Sequence, residues 1–180
     1  MKVFLRDIAI TLVMAIVIFL GLQFTVQSFV IVEHCMEPAF HEGERVLVNK
    51  VVYHFIEPKR GDVIILHPPI APTAVYVKRI IAIPGDSVEV KNGAVYVNGT
   101  KLDEPYVQNP AAYTLPEMKV PDNEYFVLGD NRNIANDSHK GWTLPRENIV
   151  GKAWFSFWPP DEWGLAGNYP LAEQLDSSSE

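Results

Sequence analysis

Residues 8–32 limit what this chain can become more than any other stretch. From Ile8 to Leu22 the run is apolar apart from Thr11, and Phe24, Val26 and residues 29–32 extend it past Gln23, Thr25, Gln27 and Ser28. At about 1.5 Å per residue, a helix over this stretch is long enough to cross a hydrocarbon core of about 30 Å. A cleavable leader is the competing reading, since Val26-Gln27-Ser28 offers small residues at a tolerable cut. The run is longer than the apolar region of an ordinary leader and has no clean stop, so a retained anchor is expected. Lys2 and Arg6 precede it while Glu33 and Glu37 follow it. That bias predicts an N-terminus in the cytoplasm and everything after residue 32 outside.

Composition narrows the remainder. Hydrophobic residues make up 48% and charged residues 21% of the 180, enough apolar matter to build a packed core. The net charge of −7 and the lack of a basic run argue against nucleic acid, whose phosphates demand clustered Lys and Arg. A single Cys excludes an intramolecular disulfide and any Cys-cluster zinc site. His34, His41, His54 and His67 are scattered without metal-binding spacing, so neither metal nor cofactor is expected. Residues 161–180 hold Asp161, Glu162, Glu173, Asp176 and Glu180 but no Lys or Arg, and read as an acidic, mobile tail.

Between anchor and tail the pattern is that of strands. Residues 46–48, 63–66, 75–83, 88–90, 95–97, 125–128 and 149–157 are short runs rich in β-branched and aromatic side chains. Asn92-Gly93 separates two of them and Asn98-Gly99 ends the second, both tight-turn signals. Pro68, Pro69, Pro72, Pro84, Pro105, Pro110, Pro116 and Pro121 fall between runs. The expected fold is mainly β: one N-terminal transmembrane helix, then a mostly antiparallel, barrel-like sheet domain over 33–160. Trp142, Trp154, Phe155, Phe157, Trp158 and Trp163 supply aromatic surface for a membrane interface, while alternate members of 154–158 are expected to fill the core.

Four segments carry chemistry: His34-Cys35-Met36-Glu37-Pro38-Ala39-Phe40; Gly43-Glu44-Arg45-Val46-Leu47-Val48-Asn49-Lys50; Tyr76-Val77-Lys78-Arg79-Ile80-Ile81-Ala82-Ile83-Pro84-Gly85-Asp86; and Gly129-Asp130-Asn131-Arg132 with Asp137-Ser138. In this order behind an anchor, they resemble the bacterial type I signal peptidases. The resemblance implies a membrane-bound endopeptidase that removes signal peptides from exported preproteins after small residues. It would use a Ser/Lys dyad on a mostly antiparallel β fold. The nucleophile position is Cys35, directly before Met36, and the general-base position is Lys78, directly before Arg79. The oxyanion would be held by the backbone N–H of Cys35 and by the residue at position 33. Met36, Arg79, Asp130, Arg132, Asp137 and Ser138 would be scaffold. Cys35 stands where the family has Ser, Glu33 where it has a small hydroxyl residue, Ala135 where it has a Ser that orients the base, and His139 where it has an Arg paired with the nearby Asp.

The residues can be read without the family. A lone Cys is ordinarily a small buried hydrophobe and a lone Lys in a strand a surface residue. Cys35, however, follows a membrane span and sits between His34 and Met36-Glu37-Pro38, which is poor core context. A Lys serves as a base only where burial disfavours its charge, and 75–83 is apolar enough to bury one. Consecutive strand residues face opposite ways, so one of Lys78 and Arg79 can lie near Cys35 while the other pairs, as the resemblance suggests, with Asp130. A thiol gives up its proton more readily than a hydroxyl, so a resting thiolate–ammonium pair is conceivable. Expected partners are signal peptides, membrane lipid and the protein export machinery. The alternatives are an impaired relative that binds signal peptides or membrane partners, a self-cleaving repressor using the same dyad, against which the span speaks, and an anchored β domain with a binding role.

Overall fold

The computed structural model describes residues 2–176. Helix α1 covers Lys2–Thr25, and its stretch Phe4–Thr25 has a mean hydropathy of 2.4 with none of that window buried against the rest of the chain. A helix apolar all round with no protein cover is long and apolar enough to span a bilayer. It ends sooner than the sequence suggested. Thr25 Oγ1 donates to Gly21 O at 3.0 Å, and Val26–Val30 forms strand β1, pairing antiparallel with β2 (Arg45–Asn49) from Val26↔Asn49 to Val30↔Arg45. The helix thus ends at Thr25, and residues 26–30, expected to extend the anchor, are in a strand. The cause is tertiary: β2 offers a free edge, and the polar residues Gln27 and Ser28 are spaced as a strand accepts.

Ten further strands follow: β3 (Val63–Leu66), β4 (Tyr76–Ala82), β5 (Ser87–Lys91), β6 (Ala94–Val97), β7 (Thr100–Lys101), β8 (Leu115–Lys119), β9 (Glu124–Leu128), β10 (Leu144–Pro145), β11 (Ile149–Trp158) and β12 (Gly164–Leu165). Every described pairing is antiparallel. The larger sheet runs β1-β2-β11-β3-β4-β9-β10, with β12 on β11, and the smaller runs β7-β6-β5-β8. The two Asn-Gly pairs close two-residue hairpins, with φ of 52° and 77° at Asn92 and Gly93 and of 52° and 79° at Asn98 and Gly99.

The strands that carry the site lie in the middle of the larger sheet. All four residues of β3 are buried: Val63 and Ile65 join the cluster around Met36, Phe40 and Val48, while Ile64 and Leu66 join Ile80, Val127 and Leu144 on the other face. An unbroken apolar run is what a strand covered on both faces requires. Strand β11 departs from simple alternation because its pairing with β2 shifts register between Ala153 and Phe155 and again between Ser156 and Trp158. Its inward positions are the small Ala153 and Ser156. Trp154 and Trp158 are exposed and Phe155 and Phe157 half-buried, so the aromatics of 154–158 leave the core to their small neighbours.

The acidic segment is also held down, contrary to expectation, through residue 176. Arg79 donates to Gly167 O at 2.6 Å, the Val63 N–H donates to Asn168 Oδ1 at 2.9 Å, and Tyr169 N donates to Gly61 O at 3.2 Å. Gly61 has φ of 92°, and a Cβ there would fall 1.5 Å from Tyr169 O, so only glycine admits the segment this closely. Helix α2 (Leu171–Asp176) then plugs Leu171, fully buried, into the smaller sheet's core. Acidity misled because the segment is held by backbone and Asn168 hydrogen bonds together with the apolar Ala166, Tyr169 and Leu171, none of them acidic. Residues 177–180 lie outside the described residues.

Candidate active site

Cys35 sits in a single 3-10 turn, His34–Met36, reached directly from β1. The apolar Met36 and Phe40 pin this turn into the core, and Phe40 N donates to Met36 O at 3.0 Å. Lys78 comes from the middle of β4 and is fully buried. Its Nζ donates to Cys35 Sγ at 3.0 Å and to Val77 O at 3.0 Å, and lies 4.9 Å from the centroid of the Tyr76 ring. Cys35 Sγ in turn donates to Val77 O at 3.6 Å. Burial pushes the Cys35 thiol above its ordinary range; Lys78 pulls the other way, and Glu33 and Asp137 add to the rise. Burial thus opposes the thiolate while the bond from Lys78 favours it.

Arg79 points to the opposite face of β4. Its guanidinium grips Asp130 with two bonds of 2.9 and 2.6 Å and stacks 4.0 Å from the Tyr106 ring centroid. Burial pushes the Asp130 carboxyl up, and the bonds from Arg79 oppose that rise. Arg132 is clamped by Glu104 at 2.8 and 2.6 Å and donates to Gly129 O at 3.1 Å. Asp137 Oδ2 accepts from Gly129 N at 2.9 Å, while its Oδ1 accepts from His139 N at 3.0 Å and lies 2.6 Å from His139 Nδ1. Ser138 Oγ accepts from Val127 N at 3.0 Å. These bonds hold residues 129–139 as a rigid loop behind the nucleophile. Asn131 N donates to Cys35 O at 3.0 Å, and a Cβ at Gly129 would fall 2.5 Å from both Cys35 O and Ala135 Cβ.

A cleft of about 270 Å³ opens over Cys35 between 29–33 and 75–77. Its walls are mostly apolar, with Tyr76 and Glu33 among them; the exposed Glu33 side chain makes no capping bond to the turn it precedes. A larger cavity of about 810 Å³, lined by Lys50, Tyr53 and Arg146 among others, contains none of the expected site residues. The sequence reading missed Glu104, the partner of Arg132, and Tyr113, stacked 4.1 Å from the His139 ring. Neither lies in a segment with a recognisable pattern.

The family described as signal peptidase, peptidase S26, matches residues 4–158. The chain belongs to this family. A probable signal peptidase I-1 of Synechocystis sp. is 42% identical over 174 residues, covering 92% of this chain and 89% of that protein. A signal peptidase I of Leptolyngbya laminosa is 39% identical over 168 residues, covering 89% and 83%. Among solved structures, a signal peptidase I of Enterococcus faecalis aligns with a TM-score of 0.49 and 27% identity, over 54% of this chain and 97% of that one. Within this member of the family, Cys35, Lys78, Arg79, Asp130, Arg132, Asp137 and Ser138 converge on one region. Met36 is core, and Glu33 stands at the rim of the cleft.

Proposed function

We propose that this chain is a membrane-anchored endopeptidase that removes signal peptides from exported preproteins, with Cys35 as nucleophile and Lys78 as general base. The observation that carries the reading is the 3.0 Å approach of the buried Lys78 Nζ to Sγ of Cys35, which lines a cleft bounded by two extended segments. A preprotein would lie in that cleft as an added strand, with small side chains against the apolar walls. The S–H proton turns from Val77 O toward Nζ, Lys78 takes it, and Sγ attacks the scissile carbonyl carbon. The resulting oxyanion is met by the N–H of Cys35, in the first turn of a helical segment where N–H groups lack internal partners. Collapse breaks the C–N bond, Lys78 returns the proton to the leaving amine, and water then hydrolyses the thioester. The anchor would keep Lys2 and Arg6 in the cytoplasm and the cleft outside. Exposed Trp154, Trp158 and Trp163 would rest among lipid headgroups, near preproteins delivered by the export machinery.

A second reading, a relative that binds signal peptides without cutting them, is favoured by one observation: the Glu33 carboxylate lines the cleft beside Cys35, where it opposes negative charge developing on sulfur. Incubating the detergent-solubilised protein with a preprotein separates the two. A mature band that disappears in Cys35→Ala supports the peptidase, and retention of an uncut complex supports the binder.

A further inference from the structure

The cleft over Cys35 contains a charge that the reaction does not need. Its other walls carry no charge: Phe29, Ile31, Val32, Ile65 and Val75 are apolar and Tyr76 is a neutral phenol. An ionised carboxylate offers acceptors only, so Glu33 has no proton to give an oxyanion. Nor does any cation of this chain neutralise it among the described residues. The Lys78 amine is turned to Cys35 Sγ and Val77 O, and the neighbouring His34 ring is held between Glu37 at 2.7 Å and Glu42 at 3.3 Å. Glu33 is thus an exposed, unpaired acid beside the nucleophile, close enough to act on the thiol through space.

We propose that Glu33 selects substrate by charge, drawing into the cleft extended peptides that carry a Lys or Arg side chain beside the bond to be cut. This rests on the peptidase reading and adds a substrate class to it. Without a cation opposite, the carboxylate repels the negative charge that develops on sulfur and then on the carbonyl oxygen. A substrate ammonium or guanidinium cancels that repulsion at the moment it matters. The preference therefore falls on kcat as well as on KM, because neutralising Glu33 helps the transition state more than the ground state.

The test uses the full-length protein in detergent and a set of peptides with small residues around the cut. Lys, Gln or Glu is walked through three positions on either side. Two readouts run in parallel: cleavage rate, and protection of Cys35 from a small thiol reagent as a measure of occupancy. At one position the Lys peptide is expected to be processed about tenfold faster than the Glu peptide, with the ratio falling to about one in Glu33→Gln and inverting in Glu33→Lys. A Lys/Glu ratio unchanged by Glu33→Gln at every position overturns the proposal and leaves the peptidase reading intact. Lys-selective protection without cleavage removes the peptidase reading and keeps the selectivity. Absence of both cleavage and protection rejects the proposal.

Discussion

In the proposed mechanism Lys78, 3.0 Å from Cys35 Sγ, is the base that takes the thiol proton. Replacing Lys78 with Met keeps the bulk and removes the amine, so preprotein cleavage should fall at least 100-fold while the thermal transition stays within a few degrees. Near-parental cleavage would eliminate the dyad. The pH dependence of the thiol follows from its environment. Burial disfavours the thiolate, so the folded protein holds the proton to higher pH than an open cysteine, for which about 8.5 is usual. Alkylation by iodoacetamide should therefore be slow at neutral pH and accelerate only above that value. Lys78 favours the thiolate, so Lys78→Met should shift the labelling curve still higher; a shift to lower pH would contradict the geometry.

At the scale of elements, two contacts the strands alone do not make decide the site. The first is the close approach of the 129–139 loop to the nucleophile turn. Gly129→Ala would place a Cβ 2.5 Å from Cys35 O and from Ala135 Cβ. Both neighbours are packed, so the turn must move. The expected cost is about 1–3 kcal/mol of stability by chemical denaturation, with a larger proportional loss of activity. The second is the docking of 161–176. Leu171→Ala removes a fully buried side chain from the smaller sheet's core and should destabilise by about 2–5 kcal/mol. If these residues were a loose tail, the variant would melt with the parent.

For the whole molecule, the apolar helix ends at Thr25, and β1 belongs to the sheet. A chain beginning at Thr25 should give a mainly β circular dichroism spectrum and a cooperative melt. One beginning at Val32 lacks β1, bares the β2 edge and should melt lower or aggregate. The exposed Val30, Val32, Trp154, Trp158, Trp163 and Leu165 would keep the truncated chain prone to associate with vesicles or with itself.

The sequence by itself determined the apolar helix, the mostly antiparallel β class and the Asn-Gly hairpins, because each rests on local pattern; the roles of Cys35, Lys78, Arg79 and Asp130 were expectations from the resemblance, and the fold places Lys78 beside Cys35 and Arg79 against Asp130. Alternation along β4 was enough to assign Lys78 and Arg79 to opposite faces. Only the tertiary structure decided where the apolar helix ends, since Val26–Val30 takes its strand form from the edge that β2 offers. It decided that 161–176 is fixed, through backbone groups that pair with Gly61 and Arg79 across the chain. It decided which residues of 154–158 face inward, because two register shifts against β2 override simple alternation. And it left Glu33 unpaired beside a thiol, since whether a carboxylate finds a partner depends on which cations the fold has already engaged.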